Sequence, residues 1–91
     1  MDIKENPKPA HILVVDDDEA IRDALREILD DDYDVTCVDS GPKALSQIKS
    51  HGFDLVFLDI VMPEMDGIET LKQIKKIDRN LDVIMISAVD R

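Results

Sequence analysis

Three short runs of consecutive apolar residues divide the chain, and each run stops abruptly at a polar residue. The runs cover residues 12–15, 55–58 and 83–86, and the residues that follow them are Asp16, Asp59 and Ser87. Uninterrupted apolar runs of this length, rich in β-branched residues, are typical of strands buried on both faces of a parallel sheet. A fourth run, residues 35–38, mixes polar and apolar residues and predicts an edge strand.

The stretches between these runs carry apolar residues at helical spacing. The apolar positions of the three predicted helices are Ile21, Leu25, Ile28 and Leu29, then Ala44, Leu45 and Ile48, then Ile68, Leu71, Ile74 and Ile77. Ser40 is a candidate N-cap of the second helix, and Asp66-Gly67 opens the third. The order β-α-β-α-β-α-β predicts an α/β layered fold with right-handed crossovers.

Four polar residues follow predicted strands at what should be one edge of the sheet. Ligand sites in open α/β sheets form at the carboxyl ends of the strands, so we expect Asp16, Asp17, Asp59 and Ser87 to converge. Three carboxylates in one cleft repel one another, and a hard cation relieves that repulsion. Oxygen ligands of this kind suit Mg²⁺ or Mn²⁺. Such a cation could present a phosphoryl group to a carboxylate nucleophile, for which Asp59 is the candidate.

Each acidic element also has an ordinary interpretation. Residues 16–18 alone could be a loop before a charged helix start, and Asp59 alone could belong to the turn at residues 63–67. Their joint placement after strands favours the site. Residues 30–32 follow a helix rather than a strand and predict a solvated turn. A Ca²⁺-binding loop beginning at Asp16 is excluded, because Ile21 stands where such a loop needs glycine.

Composition narrows the class of protein. The 91 residues allow one domain, and 21 acidic against 11 basic side chains give a net charge of -10, which argues against nucleic-acid binding by this segment. The single cysteine, Cys37, excludes an internal disulfide and favours a cytoplasmic location. No apolar stretch approaches the ~20 residues of a membrane span, so we expect no membrane contact.

Three segments together closely resemble the receiver domains of response regulators in two-component signalling, the CheY-like family. They are residues 12–19, ILVVDDDE; residues 54–67, DLVFLDIVMPEMDG; and residues 83–88, VIMISA. The resemblance covers nearly everything after residue 10. It implies a flavodoxin-like, doubly wound parallel sheet with strand order 2-1-3-4.

The resemblance also implies a role for each matched position. Asp59 would accept the phosphoryl group from a histidine kinase, a phosphotransfer protein or a small phosphodonor. Asp17, Asp59 and the backbone carbonyl of Val61 would bind Mg²⁺, with Asp16 contributing, and Ser87 would be the switch hydroxyl. Such a receiver is a signalling protein rather than an enzyme, catalysing at most its own phosphorylation and dephosphorylation, and its downstream effector is not identifiable from this sequence.

One departure from the family pattern affects the expected function. Receivers continue through a fourth helix, a fifth strand that ends in a Lys pairing with the phosphoryl group, and a fifth helix, and nothing in this sequence matches that Lys. We therefore expect a flexible segment over residues 1–10 and a receiver domain over residues 11–91 that is truncated after its fourth strand. The fourth strand would be an exposed edge that favours self-association. The apolar faces of the first and third strands would also lose cover.

Two other functions remain in competition. A truncated or engineered receiver fragment could act only as an association module, without competent phosphorylation. An aspartyl phosphatase of the haloacid-dehalogenase type also places a nucleophilic Asp after a strand, but it needs a second Asp two residues later. Val61 occupies that position, which disfavours the phosphatase.

Overall fold

The computed structural model describes residues 9–86, in which four strands alternate with three helices. In chain order they are β1 (His11–Val15), α1 (Glu19–Leu29), β2 (Asp34–Val38), α2 (Gly41–Ser50), β3 (Leu55–Asp59), α3 (Gly67–Ile77) and β4 (Asp82–Ile86). All neighbouring strands pair in parallel, in the order β2-β1-β3-β4. The predicted element order and strand order are confirmed.

Each helix begins with a side-chain cap. Asp18 accepts a hydrogen bond from the backbone N–H of Ala20 at 2.9 Å, and Ser40 accepts one from Lys43 at 3.3 Å. Asp66 caps α3 in the same way, through the N–H of Glu69 at 2.9 Å. These caps satisfy amide groups that the first turn of a helix leaves without partners. They fix where each strand-to-helix turn ends, at the edge of the sheet where the acidic residues lie.

The core lies on both faces of the sheet. On one face, α2 and α3 pack against a buried cluster made up of Leu13, Val15, Ala44, Ile48, Val56, Leu58, Met62, Ile74 and Leu81. On the other face, α1 covers a smaller cluster of Ile12, Val14 and Val35. Residues 12–15 of β1 are all buried, so the expectation that this strand would lose cover is wrong. The two flanking strands and the helices on both faces cover residues 12–15.

β4 differs from the other apolar strands. Its apolar run predicts burial on both faces, whereas the expected truncation predicts an exposed edge. None of its residues is buried, and Ile84 is 47% exposed. The physical reason is its position, because in residues 9–86 it is the outermost strand beyond β3. An apolar groove of about 520 Å³ separates it from α1; its lining residues are Ile21, Ala24, Leu25, Phe57, Ile84, Met85 and Ile86.

The turn from β3 to α3 depends on close backbone approach. The N–H of Gly67 donates to the carbonyl of Ile60 at 2.8 Å, and a Cβ at residue 67 would lie 2.6 Å from the Cα of Ile60. Only glycine fits there without movement of the helix. Glu64, in the same turn, has a positive φ of 67°, a conformation that costs free energy for residues with a side chain. The turn is therefore tightly constrained directly beside Asp59.

None of the three helices in residues 9–86 has the length and apolar character needed to cross a bilayer.

Candidate functional site

Asp16 is the first residue after β1, and three hydrogen bonds hold it. Its backbone N–H donates to the carbonyl of Val38 at 3.2 Å, and its own carbonyl accepts from Nη1 of Arg22 at 2.8 Å. Its side-chain Oδ1 accepts from the N–H of Asp18 at 2.9 Å. Only 3% of Asp16 is exposed. A carboxylate is thus buried at the end of the central strand.

Asp59 is the last residue of β3 rather than the first residue after it. It pairs with Ile86 of β4, and the N–H of Ile60 extends this pairing by donating to the carbonyl of Ile86 at 3.0 Å. Oδ1 of Asp59 accepts from the N–H of Val61 at 3.2 Å. With 6% of its surface exposed, Asp59 is held by strand pairing on one side and by the following turn on the other.

The structure brings three predicted acids together. One carboxylate oxygen from each of Asp16, Asp17 and Asp59 lies within 4.8 Å of the others. Asp17 is exposed, so the cluster opens to solvent on its side. A neighbouring cleft of about 440 Å³ is lined by Asp17, Asp39, Ser40, Lys43, Pro63 and Glu64. Asp17 is thus the member of the cluster that lines this cleft.

Burial and mutual repulsion disturb the ionisation of two of the acids. Burial is the largest cause that raises the pKa of Asp59, from 3.8 to about 6, and the charge of Asp16 and the hydrogen bond and charge of Asp17 add to it. The N–H of Val61 opposes the rise by stabilising the carboxylate. Burial also raises the pKa of Asp16, with Asp17 and Asp18 adding to the rise, while the N–H of Asp18 is the largest opposing cause.

This donor set fits a small divalent cation. The three carboxylates provide only oxygen ligands and lie close enough to share one ion. The raised pKa values of Asp16 and Asp59 show that their ionised forms are unfavourable without such an ion. Mg²⁺ is held in proteins by one or two carboxylates, and its remaining positions go to water and phosphate oxygens. A bound cation would lower the pKa values of the cluster by neutralising the repulsion.

The five predicted site residues have different outcomes. Asp16, Asp17 and Asp59 lie together, as expected. Val61 contacts Asp59 through its backbone N–H and is 76% exposed. The role predicted for the carbonyl of Val61 stays a prediction, and Ser87 lies outside the described residues.

Arg22 is a residue that the sequence did not point to. Its contact with the carbonyl of Asp16 depends on how α1 packs against the sheet. The only sequence signal was a basic residue near the start of the helix that follows the acidic pair.

Comparison with known proteins identifies the family. The response regulator receiver domain family matches residues 12–91. The chain belongs to this family. Response regulator receivers are signalling proteins that interact with histidine kinases and phosphotransfer proteins in two-component systems, and the family binds Mg²⁺ at an acidic pocket.

Several curated response regulators are similar to this receiver. The chemotaxis protein CheY of Bacillus subtilis is 44% identical over 80 residues, covering 86% of this chain and 67% of that protein. CheY of Halobacterium salinarum is 39% identical over 79 residues, covering 86% of this chain and 66% of that protein. The response regulator MprA of Mycolicibacterium vanbaalenii is 40% identical over 83 residues, covering 90% of this chain and 36% of that protein. The receiver thus spans about two thirds of the CheY relatives and about a third of MprA.

Solved structures support the fold as well. A CheY-like receiver domain protein from Methanospirillum hungatei superposes with a TM-score of 0.86 at 32% identity, covering 92% of this chain and 68% of that one. The response regulator TrrA from Thermotoga maritima was solved in complex with Mg²⁺-BeF. It superposes with a TM-score of 0.83 at 36% identity, covering 89% of this chain and 71% of that one.

Proposed function

We propose that this receiver is the phosphoryl-accepting module of a two-component phosphorelay and is modified on Asp59 in a Mg²⁺-dependent reaction. The observation that carries the proposal is the cluster of Asp16, Asp17 and Asp59, whose carboxylate oxygens lie within 4.8 Å of one another. Membership of the receiver family supports it. The modification would switch a downstream output by shifting a two-state equilibrium.

The chemistry requires an ionised carboxylate with a free oxygen. With a pKa of about 6, Asp59 is ionised in about nine molecules in ten at neutral pH, and a bound cation would raise that fraction. Val61 holds Oδ1, so we propose that Oδ2 is the nucleophile. A bond forms between this oxygen and phosphorus as the bond from phosphorus to the donor breaks, and the donor's imidazole nitrogen or carboxylate oxygen keeps the electron pair.

The residues around Asp59 would orient the reactants. Asp16, Asp17, Asp59 and the carbonyl of Val61 would hold Mg²⁺, which when bound neutralises the charge of the transferring group. The buried position of Asp16 and Asp59 limits water near the acceptor. The described cleft gives the donor access beside Asp17, with Lys43 on its wall 3.0 Å from Asp39. Ser87 stays the proposed switch hydroxyl.

The partners follow from the proposed chemistry. The donor would be a histidine kinase or a phosphotransfer protein, with small phosphodonors as substitutes. The excess of acidic residues disfavours nucleic-acid binding by this segment, which stays a prediction, as does a cytoplasmic location. Self-association through the outer edge of β4 also stays a prediction. Light scattering coupled to size-exclusion chromatography tests it, and a compact monomer would contradict it.

Intact-mass measurement tests the proposed function. The receiver is incubated with acetyl phosphate and Mg²⁺, and we expect a gain of one phosphoryl group that is lost in Asp59→Asn and in EDTA. Asp54→Asn is the matched control, because Asp54 also lies beside β3 but at the opposite end, where it accepts from the N–H of His11. An unmodified wild type would refute the proposal and favour an association module without phosphorylation. Equal modification of Asp59→Asn would refute it by showing that another residue accepts the phosphoryl group. Continuous release of phosphate from varied esters would favour a phosphatase.

A further inference from the structure

We propose that Arg22 is a positioning residue for the acidic cluster. Its guanidinium holds the carbonyl of Asp16 and thereby fixes Asp16 and Asp17 in the arrangement that binds a divalent cation. The inference rests on the proposed function, since it assumes that the cluster binds such a cation, and it assigns to Arg22 no contact with the ion or the phosphoryl group.

The hydrogen bond from Arg22 restrains the peptide unit between the two acidic residues that follow β1. Nη1 of Arg22 donates to the carbonyl of Asp16 at 2.8 Å, in a partly buried setting. That carbonyl belongs to the peptide bond that joins Asp16 to Asp17. Because a peptide unit is planar, fixing its oxygen restricts the backbone orientation of both residues. Asp17 is exposed and lies in a turn, so its carboxylate depends on such a restraint more than the buried Asp16 does.

Arg22 also lies near the end of β2. It lines a cavity of about 200 Å³ with Cys37, Val38, Asp39 and Lys43, at the carboxyl end of β2. The hydrogen bond from Lys43 is the largest cause that lowers the pKa of Asp39, and the charge of Arg22 lowers it further. Arg22 therefore donates to the turn after β1 and lies close to the turn after β2.

Two simpler roles have to be distinguished from positioning. Arg22 could merely clasp α1 to the sheet, as Arg26 does one turn later by donating from Nη1 to the carbonyl of Val35 at 3.3 Å. It could also act only by its positive charge. A nearby cation repels Mg²⁺, so removal of charge alone should tighten metal binding, whereas loss of positioning should weaken it. The two effects have opposite signs.

A titration with Mn²⁺, followed by the electron paramagnetic resonance of the free ion, separates these roles without any phosphodonor. Arg22→Met removes the donor and the charge but keeps an apolar side chain for packing. Arg26→Met is the matched control on the same helix, and Arg22→Lys restores a charged donor. Far-UV circular dichroism verifies that each variant is folded, and if Arg22→Met is not, Arg22→Lys and Arg22→Gln take its place.

We expect Arg22→Met to weaken Mn²⁺ binding about tenfold, as loss of an outer-shell hydrogen bond does at other metal sites. Arg22→Lys should recover most of the affinity, and Arg26→Met should bind within about twofold of wild type because it is remote from the acids. If Arg22→Gln is used, it should fall between Arg22→Lys and Arg22→Met. Unchanged or tighter binding by Arg22→Met, or by Arg22→Gln where it is used instead, would overturn the inference, as would equal weakening by Arg26→Met. Failure of the wild type to bind Mn²⁺ would instead refute the metal-binding part of the proposed function.

Discussion

Replacing Asp59 by Asn should make the receiver more stable at neutral pH. Asp59 is buried at the end of β3 beside Asp16 and Asp17, and its charge is unfavourable there. Asn keeps the shape and can still accept the hydrogen bond from the N–H of Val61. The substitution removes the buried charge and part of the repulsion on Asp16. We therefore expect the candidate acceptor to destabilise the metal-free fold.

The size of the effect follows from the pKa of Asp59. Folding raises it from an ordinary 3.8 to about 6, so the folded state binds the proton more tightly than the unfolded state does. The stabilisation from this proton is complete below the ordinary pKa and is lost as the pH rises through about 6. A shift of this size corresponds to about 3 kcal/mol at pH 7 and roughly half of that at pH 5. The pKa of Asp16 is also raised, so ionisation of Asp16 should likewise lower the free energy of unfolding as the pH rises.

Urea unfolding monitored by circular dichroism measures this difference. Wild type and Asp59→Asn are compared in EDTA at several values between about pH 4 and pH 8. Asp31→Asn is the control, because it makes the same chemical change and the same change in net charge at an exposed turn position. We expect Asp59→Asn to gain about 3 kcal/mol over wild type at neutral pH and little at pH 4, while Asp31→Asn stays within about 0.5 kcal/mol. A gain that did not depend on pH, or a less stable Asp59→Asn, would refute the electrostatic reasoning.

Two further predictions concern the metal and the turn beside the site. Mg²⁺ should raise the stability of wild type at neutral pH, because it binds the folded acids, and should raise that of Asp17→Asn much less. Urea titrations with and without Mg²⁺ measure this, and an equal gain in both proteins would contradict the assignment of Asp17. Gly67→Ala should destabilise the fold by about 1–3 kcal/mol, because a Cβ there would meet the backbone of Asp59 and Ile60. Gly52→Ala is its control, since a Cβ at residue 52 has open space around it, and equal effects of the two substitutions would contradict the close approach.

The fold was largely predictable because its signals are local. Three apolar runs, one mixed run and helical spacing predicted every strand and helix of residues 9–86, and Ser40 caps α2 as expected. The missed features involve residues far apart along the chain. The exposure of Ile84 depends on which elements pack against the faces of β4, and the burial of residues 12–15 of β1 depends on cover from both sides.

The candidate site also has features that the sequence predicted and features that only the packing decided. The sequence alone determined that Asp16, Asp17 and Asp59 lie at strand ends, because parallel strands with short apolar runs place their carboxyl ends at one edge. Only the tertiary structure decided that Asp59 is the last paired residue of β3, that its pKa rises to about 6, and that Arg22 holds the carbonyl of Asp16. These properties depend on burial and on distances between separate elements. Periodicity specifies which face of an element is apolar, whereas the packing of α1 and β3 sets the environment of each carboxylate.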